Sequence, residues 1–222
     1  MAPFLKVDFH CHTSYSPDSL NNLPDLLTRA RKRGLDRLVV TDHNRLDGAL
    51  AAKELDPELV IMGEEILTDR GEILAAFVSE EIPRGLPPLK VIELLRAQNA
   101  FISVSHPFDP QRGWKEKDLA EIIDLVDAIE IFNARCDRAE YNQRAEYYAK
   151  QHGKGGTVGS DAHIPYEAGR AGIILPWFED AQGLKEVIHQ GRVEANLAPM
   201  WVHLISGTVY QVRKRLFPWR RI

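Results

Sequence analysis

Two histidines close to the beginning of the chain have the spacing of metal ligands. His10 and His12 belong to a run with strand character, residues 5–12, and alternate side chains of a strand share one face. Two imidazoles about 7 Å apart on one face can bind a single metal ion, or one ion each of a close pair. Because a His-x-His pair on a strand also occurs for structural reasons, this interpretation depends on the residues that join it.

Polar side chains also follow most of the remaining predicted strands, at their carboxyl ends. Along the chain they are Asp18, Asp42, His43, Glu64, Glu65, His106, Asn133, Asp161 and His163. In an α/β barrel these strand ends converge on one mouth, where such proteins build their sites. Histidines kept only for structure would not follow this rule, so we expect these side chains to meet in one pocket.

The predicted donor set combines imidazole, carboxylate and amide groups, and it is too large for one tetrahedral zinc site. The five histidines of this set, with three or four carboxylates, suit two or three divalent ions that share a carboxylate and water. Zn²⁺, Mn²⁺ and Fe²⁺ all accept this mixture of ligands, and the sequence does not choose among them.

Strand-like and helix-like segments alternate through the whole chain. The predicted strands are 5–9, 37–41, 59–62, 73–78, 101–105, 128–132, 157–159, 171–175 and 193–195. The predicted helices are 23–33, 49–55, 87–98, 116–124, 138–152, 181–190 and the amphipathic segment 204–216, which reads as a helix or an extension. This alternation predicts parallel strands surrounded by helices, either as a barrel or as a doubly wound sheet.

The composition is that of a globular protein without a strongly charged partner. The 222 residues are 44% hydrophobic and 27% charged, which suits one sizeable domain. A net charge of -4 leaves no basic field to attract long nucleic acids or anionic lipid. Cys11 and Cys136 give no disulfide framework, and we see no leader peptide and no apolar stretch of about 18 residues. We therefore expect a cytoplasmic protein without a membrane partner.

Five short segments carry a resemblance to a known family. They are 9–18 (FHCHTSYSPD), 40–44 (VTDHN), 63–66 (GEEI), 105–108 (SHPF) and 159–163 (GSDAH). In this order they resemble the successive motifs of the PHP (polymerase and histidinol phosphatase) family of metal-dependent phosphoesterases. The resemblance implies a distorted (β/α)7 TIM-like barrel with a metal site at the carboxyl ends of its strands. We expect a single domain, 1–222, with the motifs within 8–163 and with 164–222 completing the barrel and a C-terminal extension.

The resemblance also implies a ligand set for two or three ions. The first ion would be bound by His10, His12, Glu65 and Asp161; the second by Glu65, as a bridge, and His106; the third by Asp18, His43 and His163. Two positions depart from the family pattern. Glu72 stands near a position where many members have a histidine, and Asn133, or Cys136 nearby, aligns with a further ligand histidine of some members.

Several residues have two open interpretations. Asp42 either orients His43 or caps the next helix. Arg135 and Arg170 are candidate phosphate clamps, since guanidinium matches phosphate oxygens in a bidentate manner, although an ordinary surface ion pair is also possible. His163, His43 and a metal-bound water are the candidates to protonate the leaving oxygen.

The predicted function is that of a metal-dependent phosphoesterase, a hydrolase that uses metal-activated hydroxide. The acidic net charge and the lack of an aromatic and basic stripe favour a small phosphorylated substrate, such as a nucleotide, a nucleoside bisphosphate or another phosphomonoester. One alternative is an exonuclease that acts on the 5′ or 3′ ends of short oligonucleotides, and another is a non-catalytic metal-binding interaction module. An amidohydrolase is disfavoured, because no lysine follows a strand where a bridging carbamate would be needed.

Overall fold

The computed structural model of the protein describes residues 3–216. The strands are β1 (Phe4–Cys11), β2 (Arg37–Val40), β3 (Val60–Leu67), β4 (Glu72–Ala76), β5 (Phe101–Val104), β6 (Ala128–Asn133), β7 (Gly155–Gly159), β8 (Ala171–Pro176) and β9 (Arg192–Ala195). The helices are α1 (Leu23–Lys32), α2 (Asp47–Leu55), α3 (Pro88–Ala97), α4 (Glu116–Ile122), α5 (Ala139–Gln151), α6 (Ala181–Val187) and α7 (Trp201–Leu216). Every predicted helix and strand is therefore present, and α7 begins three residues earlier than expected.

The strands form one strongly curved sheet in the order β7-β6-β5-β4-β3-β2-β1-β8-β9, a nearly closed barrel. The expectation of an α/β barrel is confirmed, but the expectation of parallel strands throughout is wrong. β4 is antiparallel to β3 and to β5, and β8 is antiparallel to β1 and to β9. The short turn at 68–71 leaves no room for the crossover that a parallel pair requires. With no helix between β3 and β4, the described chain is not a regular series of seven β/α units.

Strand β3 continues past its predicted end and carries the two neighbouring glutamates within it. Residues 63–67 pair with β4, so Glu64 and Glu65 belong to the strand and point to opposite faces. Glu65 faces the histidines. Glu64 lies on the other side, where its Oε2 accepts the backbone N–H of Ile82 at 3.0 Å and its Oε1 is buried without a hydrogen-bond partner in the described chain.

The barrel closes through backbone hydrogen bonds between β1 and the segment that follows β7. Asp161 N–H donates to the carbonyl of His10 at 2.7 Å, and His12 N–H donates to the carbonyl of Ala162 at 3.0 Å. We call this contact between residues 10–12 and 161–162 the closing seam. Three predicted ligands therefore lie on the seam itself, and their backbone positions are fixed by the barrel.

Hydrophobic side chains fill the barrel and leave the strand ends to polar residues. Phe9, Val39, Phe101 and Val158, from four different strands, belong to one buried cluster, with the two phenylalanine rings 6.2 Å apart. Cys11 is buried in a separate cluster with α1 and α2, as expected of a core residue. Within 3–216, none of the helices has the length and apolar character needed to cross a membrane.

We expect Glu64 to make folding stability fall with rising pH. Burial, together with the nearby Glu81, raises the pKa of Glu64 to about 8 from 4.5. The folded protein thus holds a proton that the unfolded chain has released, and stability decreases as pH rises between these two values. Glu64→Gln removes this dependence, so its stability relative to the parent should rise by about 2–4 kcal/mol between pH 5 and pH 8.

Chemical denaturation at pH 5, 6.5 and 8 measures this difference. Glu54→Gln, at an exposed position of α2, serves as the matched control and should follow the parent at each pH. Parallel stability curves for Glu64→Gln and the parent would show that Glu64 is ionised in the folded protein.

Candidate metal centre

The first group of predicted ligands converges at the closing seam. Nε2 of His10 and Nε2 of His12 lie 3.0 Å apart, and all four side chains of the group are fully buried. Oε1 of Glu65 lies 3.3 Å from Nε2 of His10, and Oδ1 of Asp161 lies 3.2 Å from Nε2 of His12. These three separations are close to the tetrahedral edge of about 3.4 Å that follows from metal–ligand distances of about 2.0–2.1 Å. His10, His12 and Glu65 have ligand atoms within 4.8 Å of one another.

The hydrogen bonds around the two histidines fix which nitrogen faces the group. Nδ1 of His10 donates to Oε1 of Glu130 at 3.0 Å, because a carboxylate can only accept. Nδ1 of His12 lies 3.2 Å from Oγ of Ser16, whose own proton goes to Asp42 at 2.5 Å. Both Nε2 atoms therefore present lone pairs to each other at 3.0 Å, an arrangement that needs a cation between them.

Two carboxylate oxygens give a second observation that fits a metal. Oε2 of Glu65 and Oδ1 of Asp161 are buried among imidazole nitrogens, and neither accepts a hydrogen bond of good geometry from residues 3–216. Both approach Nε2 of His12, at 3.4 and 3.2 Å. A buried anionic oxygen without a donor is costly, so the donor set fits a divalent ion.

A second group forms around His106. Its Nε2 lies 3.2 Å from Oε1 of Glu65 and 3.2 Å from Oε2 of Glu72. Glu72, which stands near the position of a family histidine, is thus within reach of the same ion as His106. Glu65 faces both groups and can bridge two ions.

The third group brings Asp18 together with two histidines. Oδ2 of Asp18 lies 3.1 Å from Nε2 of His163 and 3.5 Å from Nε2 of His43. Nδ1 of His43 lies 2.9 Å from Oε2 of Glu65, so the third group joins the first. All the expected ligands except Asn133 therefore face one connected site, and among them His12, His43 and His163 have ligand atoms within 4.8 Å of one another.

Asn133 does not offer a ligand atom, contrary to the sequence prediction. Its amide nitrogen donates to Glu130 at 3.1 Å and to Asp161 at 3.2 Å, and its oxygen accepts the backbone N–H of Arg135 at 2.8 Å. The two carboxylate acceptors dictate this orientation of the amide. Asn133 therefore holds two acidic side chains in place.

Two residues of the site escaped sequence reasoning. Glu130 bonds His10 through one oxygen, and its other oxygen accepts the backbone N–H of His106 at 2.7 Å. Arg112 donates to Oδ2 of Asp161 at 2.7 Å. A glutamate inside an otherwise apolar strand was a usable signal for Glu130, whereas no local pattern marks Arg112.

Asp42 plays neither of the two roles considered for it. Helix α2 begins at Asp47, and Asp42 instead accepts from Thr13 N–H at 2.8 Å, from Thr13 Oγ1 at 2.6 Å and from Ser16 Oγ at 2.5 Å. Burial raises the pKa of Asp42, and these hydrogen bonds partly offset that rise in pKa. Asp42 thus fixes the loop after β1 and, through Ser16, the ring of His12.

The two candidate phosphate clamps have different positions. Arg135 is buried, lines the cavity beside the site, and donates to Ser206 Oγ at 2.6 Å. Arg170 instead stacks over the ring of Tyr166, 4.5 Å from its centroid, and does not line this cavity. The geometry thus leaves Arg135 as a candidate and moves Arg170 away from the site, because Tyr166 holds its side chain elsewhere.

The charges of the site balance each other. Burial lowers the pKa of His10, but the carboxylates of Glu65, Asp161 and Glu130 outweigh burial and raise this pKa well above its usual value. Burial would raise the pKa values of Glu65 and Asp161, yet His10 and other neighbouring cations hold both well below the usual range. Burial and the nearby histidines lower the pKa of His12. Ionised carboxylates beside imidazoles give a site in which divalent ions replace protons.

A cavity of about 1310 Å³ opens above these residues. Asp18, His43 and His163 lie at its floor, and its walls come from residues 67–72, 109–113 and one face of α7. The site is therefore accessible to a molecule larger than an inorganic ion.

Comparisons with known proteins agree with this geometry. A family model described as PHP-associated matches residues 139–193. An uncharacterised protein of Methanocaldococcus jannaschii is 37% identical over 145 residues, 59% of this chain and 82% of that protein. A Caldicellulosiruptor bescii protein named "probable phosphatase" is 25% identical over 236 residues, 90% of this chain and 97% of that protein. A two-domain Bacteroides vulgatus protein, containing a predicted PHP-like metal-dependent phosphoesterase, superposes with a TM-score of 0.73 at 19% identity, covering 93% of this chain and 70% of that chain.

The fold and the ligand cluster define an α/β barrel with a candidate metal centre at the carboxyl ends of its strands. The chain belongs to the PHP family of metal-dependent phosphoesterases. The resemblance seen in the five sequence motifs is thereby confirmed.

We expect Glu130→Gln to weaken metal binding about 10- to 100-fold, the usual effect of altering a partner that orients a metal-binding histidine. The amide can turn its N–H₂ group toward His10 and cannot accept equally well from His10, His106 and Asn133. Competition with a chromogenic chelator measures the affinity. Glu194→Gln, on β9, is the control and should bind metal as the parent does. Unchanged affinity in Glu130→Gln would refute the positioning role of Glu130.

Proposed function

We propose that this protein hydrolyses a small phosphorylated molecule with the help of two or three divalent metal ions. The observation that carries the proposal is the buried pair of imidazole lone pairs 3.0 Å apart, surrounded by ionised carboxylates and connected through Glu65 to His43, which lines an open cavity. The nitrogen and oxygen donors suit Zn²⁺, Mn²⁺ or Fe²⁺. Bound divalent ions supply Lewis acidity toward phosphoryl oxygens and a hydroxide nucleophile near neutral pH.

The residues that would hold each ion follow the three groups of the site. His10, His12, Glu65 and Asp161 would hold the first ion; His106 and Glu72 would share Glu65 with the second; and Asp18, His43 and His163 would hold the third. Glu130, Asn133 and Ser16 act through these ligands, because each fixes the orientation of a ligand side chain by a hydrogen bond.

Two arginines are suited to bind the phosphoryl group. Arg135 and Arg112 both line the cavity, and Arg112 also bonds Asp161. A guanidinium group offers two parallel N–H donors to a pair of phosphate oxygens. Arg135 keeps the role expected from the sequence, and Arg112 takes the place that Arg170 was expected to fill.

When the protein holds only the first two ions, we assign the delivery of a proton to the leaving oxygen to His43 in preference to His163. Both nitrogens of each ring are engaged, because Nδ1 of His163 donates to the carbonyl of Asp161, Nδ1 of His43 lies 2.9 Å from Glu65, and each Nε2 faces Asp18. The rings differ in exposure, which is 21% for the side chain of His43 and 3% for that of His163. His43 is partly exposed to the cavity, and its Nε2 lies 3.5 Å from Asp18. A general acid must reach the leaving group, and His43 has that access.

The cavity favours a phosphomonoester with a sizeable organic group. Its volume of about 1310 Å³ lies above the range of about 300–1,000 Å³ usual for small-molecule sites. Its wall carries both basic and acidic side chains, for example Lys115 and Lys117 near Asp118 and Glu121 in sequence. This mixed wall suits a nucleotide or a nucleoside bisphosphate better than a long polyanion.

Removal of the metal should abolish hydrolysis, because the site, as far as residues 3–216 form it, offers no other activated nucleophile. We expect chelator-treated protein to lose at least about 100-fold in turnover and to regain it with Mn²⁺ or Zn²⁺. Assays should compare p-nitrophenyl phosphate, nucleotides, nucleoside bisphosphates and a short oligonucleotide.

The outcomes separate the alternatives. Preference for the oligonucleotide would replace the small substrate by an exonuclease reaction. Stoichiometric metal without turnover of any compound would identify a non-catalytic binding module. Full activity after metal removal would overturn the proposal.

Arg135→Ala should raise KM for a phosphomonoester about 10- to 100-fold, because it removes a charge-assisted hydrogen bond of about 1.5–3 kcal/mol. Steady-state kinetics with p-nitrophenyl phosphate at fixed Mn²⁺ measures the effect. Arg170→Ala is the matched control and should keep the parent KM. Equal effects of the two substitutions would exclude a specific role of Arg135 in phosphate binding.

A further inference from the structure

Helix α7 lies along the cavity with little hydrophobic contact to hold it there. Only Val202 and Ser206 of its described residues are buried, whereas Leu204 is 74% exposed and Leu216 is 61% exposed. His203 and Tyr210 line the cavity. A helix with so small an apolar contact depends on polar contacts for its position.

The first polar contact reaches the loop after β1. Nη1 of Arg213 donates to the backbone carbonyl of Ser16 at 2.8 Å, although 197 residues separate the two in sequence. Ser16 supports the ring of His12 through its hydroxyl, and Asp18 follows two residues later. Arg213 therefore holds the loop that presents Asp18 to the site.

The second polar contact reaches the loop after β7 through two intermediate side chains. Ser206 Oγ accepts from Nη2 of Arg135 at 2.6 Å, and Nε of Arg135 lies 3.5 Å from Oε1 of Glu167. The other oxygen of Glu167 accepts the backbone N–H of His163 at 2.9 Å. This chain of contacts links α7 to the loop that presents His163.

The two contacts meet at one pair of ligands. Oδ2 of Asp18 and Nε2 of His163 lie 3.1 Å apart. The base of the first loop is already fixed, because Leu20 N–H donates to the carbonyl of His163 at 2.7 Å. Arg213 adds a contact at the tip of that loop, beside Asp18, which is partly exposed to the cavity.

We propose that α7 acts as a clamp that sets the affinity of the third ion without contacting it. Docking of α7 through Arg213 and Ser206 draws the Asp18 loop and the His163 loop together, and release of α7 loosens both. The inference rests on the proposed assignment of Asp18, His43 and His163 to one ion. Three of the four ligands of the first ion lie on the closing seam, whose backbone hydrogen bonds do not involve α7, so we expect the first ion to depend on α7 less than the third.

The test compares Arg213→Ala with Arg215→Ala, which removes the same charge from an exposed position of the same helical turn. Each protein is loaded with Mn²⁺ or Zn²⁺ and dialysed against a graded chelator, and retained metal is counted by mass spectrometry. We expect Arg213→Ala to lose one ion at about tenfold lower chelator concentration than the parent, since a hydrogen bond to a charged group is lost. Arg215→Ala should retain metal as the parent does.

Hydrogen exchange gives a readout independent of metal counting and activity. In Arg213→Ala, amides of residues 14–18 should exchange faster than in the parent, while amides of β1 stay unchanged. Ser206→Ala removes the other contact and should shift metal retention in the same direction. Together these measurements separate loosening of one loop from general unfolding.

Each contrary outcome has a defined meaning. Equal metal retention and equal exchange in Arg213→Ala and the parent would overturn the clamp. Loss of all ions together in Arg213→Ala would also overturn it, because the clamp acts on one ion. A parent protein that binds no metal at all would instead refute the proposed function.

Discussion

The pair of facing imidazole lone pairs at the closing seam is the constraint on which the rest of the site depends. Nε2 of His10 and Nε2 of His12 lie 3.0 Å apart. Both nitrogens carry lone pairs, because the Nδ1 proton of each ring is donated to a fixed acceptor. Without a cation, such an arrangement repels and draws protons from the neighbouring carboxylates. Ionised Glu65 and Asp161 stabilise positive charge there, and their own burial is tolerated only because that charge is present. The ligands are thus compatible with one another only around positive charge.

The same constraint explains why the site cannot be separated from the fold. The backbone carbonyl of His10 and the backbone N–H of His12 make the hydrogen bonds that close the barrel against residues 161–162. Asp161 has a left-handed backbone, φ 50°, which turns its side chain toward the histidines directly after β7. Ligand positions are therefore set by main-chain pairing, and side-chain rotation has little part in assembling the site. Groups held in this way need little reorganisation when an ion binds.

The ligands could be predicted because each follows, or lies within, a strand that a short apolar run of the sequence reveals. It could not find the partners of the ligands equally well. Glu130 meets His10 across 120 residues, and Arg112 meets Asp161 across 49, so no spacing rule joins them. Asn133 was misassigned because its type and position allow either metal binding or hydrogen bonding, and only the neighbouring carboxylates decide. The antiparallel strands were missed although the turn at 68–71 was visible, because alternating helices elsewhere favoured a uniform parallel sheet.

The chain beyond the motifs contributes in a different physical manner. The ligands within 8–163 lie on strands or in the loops that follow them, whereas α7 is held by the buried Val202 and by the hydrogen bonds of Ser206 and Arg213. Buried ligand side chains have little freedom to move. A helix held by a few polar contacts leaves the side chains of the cavity wall freer to move. His203 and Tyr210 lie on that wall. Helix α7 also contacts the loops that present Asp18 and His163, so it connects the wall of the substrate cavity to the third group of ligands. A substrate that contacts α7 would therefore affect the third ion before the others.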